Sequence, residues 1–125
     1  MNQRHAQVQL TAGRWSLTAA QMSVRQALTD WGFTDPERLQ LSQLIATELV
    51  ANAVRHVGED FTLQIAADAR TVTLAVHDPS PVLPVRRAPD EHGGRGLMIV
   101  ERLCASWGYD TYRDDGKRVW ARLDW

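Results

Sequence analysis

The chain has 125 residues, of which 44% are hydrophobic and 23% are charged, and its formal net charge is −1. This length is typical of one domain with a single core and excludes two full domains. The composition excludes a disordered tail and a membrane-spanning chain, because no run of about 20 apolar residues occurs. The charge balance argues against a nucleic-acid binder, which normally carries a basic excess.

The sequence also predicts where the protein is found. The amino-terminal residues Met1–His5 lead into polar residues, whereas a secretory signal would continue into an apolar segment. Cys104 is the single cysteine, so an internal disulfide is excluded. We therefore expect a cytoplasmic protein with no membrane segment.

The amino-terminal half reads as one strand followed by two helices. Alternating apolar residues predict a strand over His5–Ala12, and apolar residues at helical spacing predict a helix over Thr18–Trp31 that ends at Gly32. A second helix begins at Asp35–Glu37, because Asp caps a helix, Pro fits its first turn and Glu favours its positive end. The apolar pattern continues this helix as far as Val57.

The carboxyl-terminal half reads as two hairpins separated by a proline-rich loop and a short helix. In chain order, the predicted elements are strands Phe61–Ala66 and Thr71–Val76, loop Pro79–Pro89, helix Leu97–Ala105, and strands Trp107–Arg113 and Lys117–Trp125. Hairpins with interspersed helices predict an α/β two-layer sandwich, in which a mixed, mostly antiparallel sheet carries the helices on one face. Residues 1–125 are predicted to form one domain.

The long helix contains the first segment that could carry chemistry. Glu48, Asn52 and His56 follow one another at intervals of four residues, so they share one stripe of the helix. Asparagine is unfavourable inside a helix unless its amide has a task. The structural alternative is a solvated polar face.

Two further segments follow along the chain. Asp78 comes after an apolar strand and precedes Ser80 in a proline-rich loop, which is typical of a pocket edge or of an Asx turn. The run Gly93, Gly94, Arg95 and Gly96 comes immediately before a helix. Such a run lets backbone N–H groups approach an anion at the helix start, although a simple flexible connector has the same composition.

In this order the three segments resemble the motifs of the GHKL ATP-binding superfamily. The resemblance is closest to its bacterial branch of anti-sigma-factor serine/threonine kinases and their actinobacterial relatives. It covers about residues 5–124 and rests on Glu48-Leu-Val-Ala-Asn-Ala-Val-Arg-His, Asp78-Pro-Ser-Pro and Gly94-Arg-Gly-Leu. It implies the two-layer fold of that superfamily, with ATP and Mg²⁺ as the bound groups.

The resemblance also implies a role for each motif. Glu48 would be the general base, Asn52 the one protein ligand to Mg²⁺, and Asp78 the acceptor for the exocyclic amine of adenine. The backbone from Gly94 through Arg95 to Gly96 would face the phosphates. The remaining contacts that it implies with the nucleotide are those of Arg55, His56, Ser80, Gly93 and Leu97.

The function that the resemblance implies is transcription regulation. The protein would bind a sigma factor and phosphorylate a serine or threonine of an anti-anti-sigma antagonist, without contacting nucleic acid or a membrane itself. Members of the family often form homodimers, and the sequence leaves that state open for this chain.

The alternative is a catalytically inactive module of the same fold that docks a protein partner. Family members commonly carry Thr or Ser in the turn before the last strand, where it helps to hold adenine, whereas this chain has Lys117 and Arg118. That departure favours the binding module. The intact pair of Glu48 and Asn52 favours the kinase.

Overall fold

The helices and strands follow the predicted order. The computed structural model describes residues 3–56, 60–79, 96–112 and 116–124. Its elements are β1 (Arg4–Leu10), α1 (Ser16–Asp30), α2 (Pro36–His56), β2 (Phe61–Ala67), β3 (Thr71–Asp78), α3 (Gly96–Leu103), β4 (Ser106–Tyr112) and β5 (Gly116–Asp124). Each predicted helix and strand is confirmed, with ends that differ by a few residues. That residues 1–125 form one domain stays a prediction.

The five strands form one sheet in the order β1-β2-β3-β5-β4. The sequence predicted a mixed, mostly antiparallel sheet, and every pairing between the described strands is antiparallel. Two of these pairings are hairpins. The pairing between β3 and β5 is not a hairpin. It is antiparallel because α3 carries the chain back along the sheet before β4 and β5 form the last hairpin.

The helices cover one face of the sheet, as predicted. Alternate residues of the strands point toward the helices and are buried, and the intervening residues lie on the opposite, open face. The buried side chains of the two layers form one core, which includes Leu28, Ile45, Leu49, Leu63, Ile65, Leu74 and Leu123. Burial of each such side chain contributes roughly 1.5–3 kcal/mol, so this row dictates the register of the sheet.

The predicted helix signals are present as local contacts. The Asp35 carboxylate accepts the backbone N–H of Glu37 at 3.3 Å, which caps α2. Gly32 follows the end of α1 with a φ of 95°, a left-handed conformation that glycine adopts without strain. No helix in the described part of the chain is long and apolar enough to cross a membrane.

The side chain of Asp68 stabilises the turn between β2 and β3. Its carboxylate accepts the backbone N–H groups of Arg70 at 2.8 Å and Thr71 at 2.9 Å. These hydrogen bonds favour the ionised form and lower the pKa of Asp68. The short connection predicted from the sequence is therefore a turn held by one side chain.

The start of β5 lies unusually close to the end of β3. Gly116, the first residue of β5, has a φ of 78°. A Cβ atom at this position would overlap the backbone oxygen of Asp78 and lie 2.6 Å from the Cα of Pro79. Only glycine permits this approach, which brings the two strand ends together.

Replacement of Gly116 by alanine therefore tests how far the fold depends on this approach. We expect Gly116→Ala to lower the free energy of unfolding by at least about 1–3 kcal/mol, because the residue combines a left-handed φ with a backbone overlap. Gly13→Ala is the control, since a Cβ at exposed Gly13 meets no atom within 4 Å among the described residues. Urea unfolding of both variants measures the difference, and equal stabilities would contradict the close approach.

Candidate functional site

Chain direction brings two of the sequence motifs to one end of the sandwich. Helix α2 ends at His56 and β2 begins five residues later, so the connection spans at most about 18 Å. Strands β2 and β3 are antiparallel with Thr62 opposite His77, which puts Asp78 beside the start of β2. The pairing of β3 with β5 places Lys117 directly opposite Asp78. The end of α2, the end of β3 and the start of β5 therefore share one end of the molecule.

The direction of α3 adds the start of that helix to the same end. Strand β4 begins at Ser106, opposite Arg122, at the other end of the sheet. Helix α3 ends at Leu103, shortly before β4, and its 8 residues extend about 12 Å. Its amino terminus at Gly96 therefore points back toward the end that holds Asp78.

Glu48 and Asn52 are half-buried side chains one turn apart on α2. The adjacent Thr47 accepts a hydrogen bond from Gln21 of α1 at 2.9 Å, so α1 covers the stripe beside them. Burial raises the pKa of the Glu48 carboxyl above its ordinary value of 4.5, and the positive charge of Arg55 partly opposes this shift. A carboxylate with a raised pKa is a stronger proton acceptor, which suits a general base.

The buried ion pair between Asp78 and Lys117 lies at the ends of β3 and β5. The Lys117 ammonium donates a hydrogen bond to Oδ1 of Asp78 at 3.0 Å, and both side chains are 1% exposed. Charged side chains are almost never buried to this extent unless they are paired. The negative charge of Asp78 is therefore neutralised inside the protein by this lysine.

Strand alternation explains why this lysine points inward. Lys117 continues the helix-facing row of Val119 and Ala121, and it is as buried as they are. Its neighbour Arg118 points to the open face, where its Nε donates to Oε1 of Gln64 at 2.8 Å. The placement of both basic residues in a turn was wrong, because β5 already begins at Gly116.

Two of the open cavities that the described residues line lie beside the sheet. A cavity of about 250 Å³ adjoins Asp78 and is lined by Gln9, Asp60, Phe61, Thr62, His77, Asp78 and Pro79. A larger one of about 530 Å³ lies on the open face of the sheet, beside His5, Gln64 and Arg118. The smaller cavity is below the roughly 300–1,000 Å³ of typical ligand pockets.

The amide of Asn52 on α2 suits a magnesium ion that takes few ligands from the protein. Its oxygen is a hard donor of the kind Mg²⁺ prefers. No group of three or more His, Cys, Asp or Glu side chains that could hold a metal ion forms within the described residues. A magnesium ion held here would therefore depend on phosphates and water for most of its coordination.

The structure describes only some of the other predicted site residues. Arg55 is exposed near the end of α2, and His56 is its last residue. Gly96 and Leu97 are the first two residues of α3. The remaining members of the predicted set lie outside the described residues; they are Ser80, Gly93, Gly94 and Arg95.

The burial of Lys117 was not predicted from the sequence. Alternating apolar residues from Val119 to Leu123 predict a strand whose odd-numbered positions face the core. Extending that alternation back by one step puts Lys117 on the same face. The signal was therefore present, but a lysine next to a turn is normally read as solvent-exposed.

The comparisons with known proteins agree with this architecture. A family model described as the histidine kinase-like ATPase domain matches residues 12–123. The match spans most of the chain and includes every predicted site residue. A search of curated proteins finds no match.

The burial of Glu48 can be tested through stability. Because the pKa of Glu48 is raised in the folded chain, its ionised form costs stability above that pKa, and the cost disappears as the pH falls below 4.5. We therefore expect Glu48→Gln to be slightly more stable than wild type at pH 7, with the difference lost in acid.

The matched control is the same substitution at Glu37, in the first turn of the same helix. There the negative charge favours the helix start, so Glu37→Gln should lose about 0.3–1 kcal/mol at pH 7. Chemical denaturation across the pH range compares the two. Equal losses for both variants would mean that burial of Glu48 carries no cost.

Proposed function

Because the chain belongs to the histidine kinase-like ATPase domain family, we propose that it is an ATP-binding anti-sigma factor with serine/threonine kinase activity. The observation that carries the proposal is the half-buried pair of Glu48 and Asn52 on α2, the helix whose last residue lies at the same end of the sandwich as buried Asp78. In this proposal Glu48 is the proton acceptor, Asn52 is the metal ligand and Asp78 is the carboxylate that accepts a hydrogen bond from adenine.

Nucleotide binding would use the two layers of the molecule differently. Asn52 on α2 would hold Mg²⁺ through its amide oxygen, and the metal would supply positive charge to the phosphates when bound. The amino terminus of α3 at Gly96 offers backbone N–H groups to the same phosphates. Asp78 lies at the sheet end of the site, where the carboxylate is shared with Lys117.

Phosphoryl transfer needs positioning and a proton acceptor from this chain. Glu48 accepts the proton of a serine or threonine hydroxyl as the hydroxyl oxygen bonds to the γ-phosphorus. The bond from that phosphorus to the bridging oxygen breaks, and ADP leaves with the bond's electron pair. The raised pKa of Glu48 makes the carboxylate more basic and suits it to this step.

The proposed partners follow from the resemblance to the anti-sigma branch. One is a sigma factor, which this chain sequesters, and the other is an anti-anti-sigma protein that carries the phosphorylated hydroxyl. The near-neutral charge of −1 agrees with protein partners rather than with direct binding to nucleic acid. A homodimer and a cytoplasmic location also stay part of the proposal.

A second candidate function is a binding module without catalysis. The observation in its favour is the ion pair of Lys117 and Asp78, which engages the carboxylate expected to recognise adenine. In that case the chain would dock a protein partner through the same fold and hold nucleotide weakly or not at all.

The role of Asn52 is tested by its dependence on magnesium. We expect Asn52→Ala to remove the effect of Mg²⁺ on ATP affinity. The affinity measured in the presence of Mg²⁺ should fall at least about tenfold, because one charge-assisted contact is lost. Asn52→Asp keeps an oxygen ligand and should keep the dependence. Calorimetric titration with and without Mg²⁺ measures both, and circular dichroism checks that each variant folds. An alanine variant with unchanged magnesium dependence would remove Asn52 from the site.

The role of Glu48 is tested by separating chemistry from binding. Glu48→Gln keeps the length of the side chain but cannot accept the proton, so phosphotransfer should fall by about 10²–10⁴-fold. ATP affinity should stay within a few fold. Single-turnover transfer of labelled phosphate to a candidate antagonist gives the rate.

The same assay decides between the two candidate functions. A wild-type chain that binds its sigma factor but transfers no phosphate to any antagonist would support the binding module. A glutamine variant as fast as wild type would leave the kinase intact but remove Glu48 as its base.

A further inference from the structure

The ion pair of Lys117 and Asp78 uses one of the two oxygens of the carboxylate. The Lys117 ammonium donates a hydrogen bond to Oδ1 at 3.0 Å, and both side chains are 1% exposed. The other oxygen, Oδ2, is also buried, and no described residue donates a hydrogen bond to it. The lysine therefore compensates the charge of Asp78 while Oδ2 keeps its capacity to accept a hydrogen bond.

The charge of Asp78 decides which hydrogen bonds Oδ2 can make. An ionised carboxylate only accepts hydrogen bonds, whereas a protonated carboxyl group also donates one through its O–H. Because Oδ2 is buried, a base reaches it only by displacing the atoms that cover it, and the contact then forms away from water. There a polar group that meets no matching partner is costly. An ionised Asp78 therefore favours a base that presents a donor, such as the 6-amino group of adenine.

Burial by itself opposes the ionised form of Asp78. A charge taken out of water without a partner is strongly destabilising, and a buried carboxyl group avoids this cost by taking up a proton. Lys117 removes the need for that proton, because the register of β3 against β5 places it directly opposite Asp78. The strand alternation that buries Val119 also buries Lys117, so the ammonium stays beside the carboxylate rather than in water.

Building on the proposed binding of ATP, we propose that Lys117 is a positioning residue that sets the choice of purine by keeping Asp78 ionised. The wild-type chain binds ATP and discriminates against inosine 5′-triphosphate (ITP), which in the same position presents a 6-oxo acceptor to Oδ2. Without the lysine charge, Asp78 takes up a proton and its O–H donates to the 6-oxo group. Lys117 thus acts through the carboxylate rather than by touching the base.

The experiment measures the dissociation constants of the Mg²⁺ complexes of ATP and ITP for wild type, Lys117→Met and Arg118→Met. Lys117→Met removes the charge and keeps most of the side-chain volume. Arg118→Met is the matched control, because it removes the same charge from the next residue, whose side chain bonds Gln64 on the open face. Thermal unfolding checks the fold of each variant.

In wild type and in Arg118→Met, ATP should bind at least about tenfold more tightly than ITP, the expected size of one hydrogen bond to a charged group. In Lys117→Met the two affinities should lie within about threefold of each other, with ITP bound more tightly than by wild type. General disruption of the site would weaken both triphosphates and would not produce that gain. If Lys117→Met does not fold, Lys117→Gln takes its place, because glutamine donates a hydrogen bond without a charge.

Infrared spectroscopy reads the charge of Asp78 without any nucleotide. A protonated carboxyl group gives a carbonyl band that a carboxylate lacks. Lys117→Met should show this band, and the double variant Lys117→Met/Asp78→Asn should lose it. The wild-type chain should lack the band of Asp78 as well, because Lys117 keeps that carboxylate ionised.

Three results would overturn the proposal alone. They are an unchanged preference for ATP in folded Lys117→Met, equal binding of ATP and ITP by wild type, and no carbonyl band from Asp78 once the lysine is removed. Absence of triphosphate binding in every protein would instead overturn the proposed ATP-binding function, and the choice of purine with it, whatever the infrared spectrum shows.

Discussion

The antiparallel pairing of β3 with β5 is the interaction on which the rest of the structure depends. These two strands lie at the centre of the sheet, and their helix-facing residues form the middle of the core. A slip of one residue would turn that row to the open face, so burial fixes the register. The same register sets Asp78 opposite Lys117, which means that the packing of the core decides the composition of the site.

The helix-facing row of β5 ends in a buried ion pair, which is an unusual feature of a core. Apolar side chains of similar size would often be as stable or more so, because two charges lose their hydration on burial. The pair is better understood through what each charge does to the other. Lys117 keeps the Asp78 carboxylate compensated inside the protein by donating a hydrogen bond to one of its two oxygens.

The helical layer contributes a different kind of chemistry from the sheet. Glu48 and Asn52 sit at the margin of the core, where half-burial raises the pKa of the glutamate without enclosing it. The residues proposed to act at the phosphates and the residue proposed to recognise the base therefore lie in separate layers.

The sequence by itself determined the element order, the helix that carries Glu48 and Asn52, and the one-sided layer of helices, because these follow from local spacing and capping. It also gave the superfamily through the order of its motifs, which the family match confirms. Only the tertiary structure decided that the sheet is entirely antiparallel among its described strands and that Lys117 lies inside it. The physical reason is that a lysine beside a turn is normally exposed, so alternation along one strand does not decide its burial, whereas the register of β5 against β3 carries it into the core opposite the carboxylate of Asp78.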